Sequence, residues 1–245
     1  MIKFDGVTFA YPQSDKYVLD HLDLTVEDGE FLCIIGHSGC GKSTLLRLTA
    51  GLDFPSGGHI TVDEKAVTGP SVDRTIVFQQ YSLFPWLTVK ENVVFAVMKT
   101  KRFNREQAKE RASYFLAKAG LEQAAESYPY QLSGGMRQRT AIVRALAMDA
   151  PYLLLDEPFG ALDTKIRREL QMLLQELWKE SGKTVIFVTH DLEEAMIMAS
   201  RIVFLKDGAI EKEKRIDEAI NCCCSQERGE AACLALKEEL AGWYQ

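Results

Sequence analysis

Residues 36 to 44 read GHSGCGKST, and that order of residue types can hold a polyphosphate. The segment fits the spacing G-x-x-x-x-G-K-[ST] of a phosphate-binding loop. Glycines at 36, 39 and 41 let the backbone curl so that successive N–H groups point inward at phosphate oxygens. A helix beginning at Ser43 adds its positive N-terminal end. Lys42 supplies a mobile point charge for the β- and γ-phosphates, and the Ser43 hydroxyl is a ligand type suited to Mg²⁺. A second element is YLLLDEP, Tyr152 to Pro158. Four apolar residues there deliver Asp156 and Glu157 to the C-terminal end of a strand, where ligands bind in open α/β sheets. Asp156 is placed to hold Mg²⁺ through a water. Glu157 points elsewhere and can polarise the water that attacks the γ-phosphate. A third is LSGGMRQR, Leu132 to Arg139. Ser133 offers a hydroxyl, and Gly134 and Gly135 expose N–H groups at another positive helix start.

These groups need elements that place them. FLCII (31 to 35) lies between Gly29 and Gly36 and reads as a buried strand leading into the loop. Ser43 to Ala50 reads as the helix after it, closed by Gly51. Strands are expected at Ile60–Val62, Thr75–Phe78, Tyr152–Leu155, Val185–Val188 and Ile202–Leu205. Asp207-Gly208 reads as a hairpin turn. Asn104 to Ala119 reads as a helix capped by Asn104 with Gln107, ended by Gly120, with Ala108, Ala112, Phe115, Leu116 and Ala119 on one face. A further helix follows Gly135 and runs to about Met148. Alternating strands and helices give an α/β chain with a largely parallel core sheet. A helical insert is expected over about 89 to 150. Residues after about Lys212 fit neither pattern.

Composition narrows the function. A hydrophobic fraction of 47% with 26% charged residues suits a soluble globular chain with a full core. No apolar run approaches the roughly 18 residues of a membrane span, so the chain is not expected to form a transport path itself. The start, MIKFDGVTFAY, reads as strand rather than as an export leader. A net charge of −6 argues against a nucleic-acid clamp. Six cysteines are present, Cys33 and Cys40 in a strand and the loop after it, and Cys222, Cys223, Cys224 and Cys233 near the end. Reduced thiols are the expectation without an export signal. Three adjacent cysteines converge poorly on a metal, so the end reads as a solvated, oxidation-prone tail, with metal or cluster binding as the alternative. Cys40, beside a helix start and Lys42, is expected to be a reactive thiol that nucleotide protects.

The three motifs together resemble those of the ABC ATPases, whose usual LSGGQ ends here in Met136. The resemblance spans residues 1 to about 212. It implies a P-loop NTPase core, an N-terminal antiparallel β subdomain and the helical insert, with 213 to 245 as an extension. ATP and Mg²⁺ are then expected, the nucleotide lying against Gly36, His37, Ser38, Gly39, Cys40, Gly41, Lys42, Ser43 and Thr44. Tyr11 matches the aromatic that stacks on adenine. Gln79, in VFQQ, matches the glutamine reaching Mg²⁺ and the attacking water. Asp163 in FGALD matches the residue that crosses to a partner protomer. His190 matches the switch histidine at the γ-phosphate. Ser133, Gly134 and Gly135 would face the nucleotide of that partner, which implies a head-to-tail homodimer.

Within the ABC proteins, FPWLTVKENV (84 to 93), Met136 and DEPFGALD resemble the nitrate/sulfonate/taurine importers. That implies a separate membrane permease, a solute-binding protein and a peripheral place at the cytoplasmic face. Exporter-type and lipoprotein-type cassettes are the alternative, as is a soluble ABC ATPase. Against the last, Gln79 and Ser133 are too close to hold the long coiled coil of the DNA-acting relatives.

Overall fold

The computed structural model describes residues 1–12, 16–80, 82–160, 162–216 and 230–244. The chain divides into two compact units, one formed by residues 1–71 with 182–245 and one by residues 72–181.

The first unit contains an antiparallel sheet of β1 (Ile2–Phe9), β2 (Leu19–Val26), β4 (Gly57–Val62) and β5 (Lys65–Ala66), in the order β2-β1-β4-β5. Ile2 and Phe4 are buried while Lys3 and Asp5 are exposed, the period-two alternation of a sheet with one dry face. Register keeps the dry residues together, with Phe4 opposite Leu24 on one side and Ile60 on the other. The unit's second group of strands centres on β3 (Phe31–Ile35), which runs parallel to both β8 (Thr184–Val188) and β9 (Arg201–Lys206). All five residues of β3 and of β8 are buried, as expected where both faces are covered. β9 turns through Asp207-Gly208 into β10 (Ala209–Arg215), the hairpin expected from the sequence. Helix α1 (Lys42–Ala50) follows β3, and α6 (Leu192–Met198) follows β8.

The second unit pairs β6 (Arg74–Val77) with β7 (Tyr152–Asp156) in parallel. Between them in the chain come α2 (Val89–Lys99), α3 (Arg105–Lys118) and α4 (Gly134–Ala147), which pack on one another. Helix α5 (Thr164–Ser181) follows β7. Asn104 caps α3 as expected, accepting from the Gln107 N–H while the Gln107 side chain accepts from the Asn104 N–H. The buried face of α3 carries Ala108, Ala112, Phe115 and Leu116. A second capping box, Thr88 with Glu91, starts α2.

One expectation fails. The chain after Lys212 is not a patternless solvated tail: β10 runs on to Arg215, and residues 230–242 form helix α7 (Glu230–Gly242). Leu236, Leu240 and Trp243 are buried, a spacing of four and three that makes a single helical stripe. The neighbouring cysteine run obscured that stripe in the sequence. Cys222, Cys223 and Cys224 lie outside the described residues. Cys33, Cys40 and Cys233 form no disulfide.

Candidate active site

In the first unit, parallel register places two of the expected site residues. Ile34 of β3 pairs with Val188 of β8. Gly36 and His190 each stand two residues past that pair, so the phosphate loop and the histidine leave the sheet side by side at strand C-termini. The Thr189 N–H donates to the Ile34 carbonyl at 3.3 Å and extends the ladder to the edge of the loop. Behind His190 the backbone is fixed by a buried pair. Thr189 Oγ1 donates to Glu194 Oε2 at 2.7 Å and accepts from the Asp191 N–H at 3.0 Å. Asp191 caps α6 by accepting from the N–H groups of Glu193 and Glu194. His190 itself is exposed. The Thr189–Glu194 pair escaped the sequence reading, although D-x-x-E just after a strand is a capping signal.

The loop's glycines serve different needs. A Cβ at Gly36 would lie 2.2 Å from the Leu205 carbonyl oxygen, and one at Gly41 2.9 Å from that of Val18. Gly39 has open space around it but φ +79°, a left-handed conformation. Gly41 sits at the N-cap of α1, and no side chain caps the first-turn N–H groups, the arrangement of an anion-binding helix start. Lys42 is buried, and its ammonium donates to the carbonyls of Gly36 and His37, each at 2.8 Å. His37, Ser38, Gly39 and Ser43 form the exposed crown of the loop. Tyr11 is half exposed. Its hydroxyl is 2.9 Å from Thr44 Oγ1, and its ring lies edge-on to Phe9 at 5.0 Å.

The second unit follows the same rule. Val77 of β6 pairs with Leu155 of β7, and Gln79 and Glu157 each stand two residues beyond. Gln79 Nε2 donates to Glu157 Oε2 at 3.3 Å. Glu157 has φ +45°, a left-handed backbone that costs a non-glycine residue about 1 kcal/mol and is found at sites that need a side chain aimed. Asp156 is buried at the strand end. The backbone after Glu157 is held by Gln138, a buried residue of α4 that donates to the Pro158 carbonyl at 2.7 Å. Gln138 was not singled out in the sequence, where it is the Q of RQR.

The LSGG segment forms the start of α4. Ser133 is its exposed N-cap, accepting from the Met136 N–H at 3.3 Å. A Cβ on Gly135 would meet Leu162 of the FGALD segment at an ordinary 3.5 Å. Asp163 accepts from the Ile166 N–H at 3.0 Å and so fixes the start of α5. Hydroxyl, carboxylate and amide oxygens are the donor types a small hard cation takes; Ser43 in the first unit and Asp156 and Gln79 in the second each carry one.

These features meet in the comparisons with known proteins. The sequence profile of the ABC transporter family matches residues 19–160. The chain belongs to that family. It is an ABC ATPase cassette, and it binds ATP. The ABC relatives include an uncharacterized ABC transporter ATP-binding protein of Methanocaldococcus jannaschii, 48% identical over 220 residues, with 88% of this chain and 82% of that one covered. A nitrate import ATP-binding protein of Synechocystis is 46% identical, with 85% and 79% covered. A bicarbonate transport ATP-binding protein from the same organism is 44% identical, with 84% and 74% covered. Among solved structures, a dimeric ATP-binding cassette in a post-hydrolysis state with ADP and Pi superposes with a TM-score of 0.83. It is 38% identical, and the match covers 89% of this chain and 99% of that one.

The expectation for Cys40 in this ABC loop needs correction. Burial pushes its thiol above the ordinary range, and Lys42 only partly offsets that. The Lys42 ammonium is occupied by carbonyls at 2.8 Å and lies 3.9 Å from Cys40 Sγ. Cys40 will therefore alkylate more slowly than a cysteine in a short peptide at pH 8, with an inflection above that of an ordinary thiol. Mass-spectrometric mapping across pH, with and without MgATP, checks this. A Cys40 that reacts fastest in the nucleotide-free protein contradicts it.

Proposed function

We propose that this ATPase works as a head-to-tail homodimer that powers solute import of the nitrate/sulfonate/taurine type through a separate membrane permease. A solute-binding protein would deliver the cargo. Residues 1–212 act as the nucleotide-binding domain, with 89–150 as its helical subdomain and 213–245 as an extension. Among the described residues no helix is long and apolar enough to cross a membrane. We place the subunit at the cytoplasmic face of that membrane, as a peripheral protein.

ATP is the substrate. Gly36 to Thr44 hold its phosphates through backbone N–H groups and Lys42, and Tyr11 offers its ring to the adenine. Ser43, Asp156 and Gln79 would hold Mg²⁺, which when bound offsets the phosphate charge. Glu157 takes the proton of the attacking water, positioned by its bond with Gln79, and His190 contacts the γ-phosphate. Ser133, Gly134, Gly135 and Asp163 complete the partner's site. Closure is favoured when ATP is bound and relaxes after hydrolysis, because the γ-phosphate interacts differently with the two arrangements.

The observation that carries the permease reading is an exposed aromatic surface. Trp86 is 70% exposed and Phe95 40%, both against Phe84 at 5.6 and 5.1 Å. Such a surface is costly unless something covers it. It is also rigidly built. Buried Asn92 accepts from the Phe84 N–H at 2.8 Å and donates to the carbonyls of Phe84, Leu87 and Thr88. Arg144 donates to the Ser82 carbonyl at 2.8 Å and lies over the Phe84 ring. A loop held so firmly presents Trp86 to a partner without an ordering cost. The Trp86→Ala variant is expected to keep ATP affinity and to lose most permease co-purification and transport in reconstituted vesicles. Transport at wild-type rate would remove this surface from the coupling role. Export of the same solute would reverse the assigned direction.

A further inference from the structure

The Gly36 peptide is held from two sides, and one of them lies far outside the motif. Gly36 is buried and ends the β3 ladder, whose last pairing is Ile35 with Phe204 of β9. Its carbonyl receives the Lys42 ammonium. Its N–H donates to the hydroxyl of Tyr244 at 3.1 Å. The Tyr244 ring also lies edge-on to His37 of the loop, at 5.1 Å, and to Phe204, at 5.0 Å. A buried N–H left without a partner keeps its full desolvation penalty, so the loop's first residue depends on this tyrosine.

Tyr244 is in turn anchored. Its N–H donates to the Ala241 carbonyl, in the turn that ends α7. The helix buries Leu236 and Leu240, and Trp243 contacts Phe204 at 6.2 Å between ring centres. Two ion pairs orient it: Lys237 with Glu193 of α6 at 2.5 Å, and Lys214 of β10 with Glu239. Burial beside Cys33 and Cys40 raises the Tyr244 hydroxyl above its ordinary range, so it stays neutral.

We propose that Tyr244 is a positioning residue for the phosphate loop, fixing the Gly36 N–H while Lys42 fixes its carbonyl, so that ATP binding and docking of α7 are thermodynamically linked. The inference rests on the ATP-binding role of the loop. It adds a residue beyond the matched 19–160 region, supplied by an element the motifs do not include. Because the tyrosine acts on the loop before chemistry, it contributes to binding of ground and transition states alike, and its loss belongs in KM rather than kcat. Linkage is reciprocal, so nucleotide must also protect the helix.

The test uses the full chain and Tyr244→Phe, which keeps the ring and removes only the hydroxyl. KM for ATP should rise about two- to tenfold, the range of one net hydrogen bond, with kcat little changed. In the wild type, MgATP should slow hydrogen–deuterium exchange across 231–244. A merely structural tyrosine would lower the melting temperature and leave KM alone. An unchanged KM in Tyr244→Phe overturns the proposal, as does exchange across 231–244 that ignores MgATP. A wild type that fails to bind ATP would defeat the functional reading and this inference together. A wild type that binds ATP beside an indifferent Tyr244→Phe defeats this inference alone.

Discussion

Glu157→Gln is expected to bind ATP normally and to hydrolyse it about 10²–10⁴-fold more slowly, the usual contribution of a positioned general base. The substitution is close to isosteric, so the left-handed backbone at φ +45° and the buried end of β7 carry over unchanged. An amide oxygen can still accept from Gln79 Nε2, so the 3.3 Å contact survives. What disappears is the basicity of the carboxylate proposed to take the water's proton. If closure needs only bound ATP, the slow variant will also accumulate as a dimer in MgATP, while the wild type cycles back to monomer. Steady-state ATPase assays and size-exclusion chromatography with MgATP or MgADP read the two effects separately. Turnover near the wild-type rate would remove Glu157 from the role of base. A slow variant that stays monomeric would leave the base in place and sink the ATP-driven closure.

Glu157 also shows what the sequence made legible. Short apolar runs ending in chemistry-bearing residues announce their own placement, because a parallel strand covered on both faces has no polar positions to spare. FLCII before the loop, YLLLD before Glu157 and TVIFV before His190 are all fully buried strands. The α3 boundaries were readable for a similar reason, since Asn104, Gln107 and Gly120 are punctuation with a backbone cause. What stayed hidden depends on long-range contact. Nothing local marks Asn92 as the residue that holds the Phe84 turn, or Gln138 as the one that holds Pro158. The largest omission, α7, has a readable stripe of Leu236, Leu240 and Trp243, but it adjoins a cysteine run whose composition dominated the reading. At Cys40 the sequence shows the local charge of Lys42 but not the burial that outweighs it.

The other large effect is expected at Gly36→Ala. A methyl group there would sit 2.2 Å from the Leu205 carbonyl oxygen and 2.9 Å from Cys40 Sγ. The thiol can turn away, but the carbonyl belongs to β9, a strand paired with both β3 and β10. Relief must therefore come from the loop, which moves the Gly36 peptide off Tyr244 and Lys42 at once. Overpacking of this kind costs about 1–3 kcal/mol, and each kcal/mol lowers the melting temperature of a chain this size by roughly 2–4 °C. The functional loss should be larger than the stability loss suggests. The loop's N–H groups act on phosphate together, so a displaced loop weakens ATP binding by at least about tenfold, the equivalent of one lost charge-assisted bond. Gly182→Ala is the matching control. Gly182 has φ +61° with nothing near its Cβ position, so it imposes backbone strain without a clash and outside the loop. It should lower the melting temperature by a comparable few degrees and leave ATP affinity unchanged. Calorimetric titration with ATP beside thermal unfolding separates the two variants. If Gly36→Ala binds ATP like the wild type, the loop tolerates displacement, and the Gly36 peptide is not what organises the phosphate site.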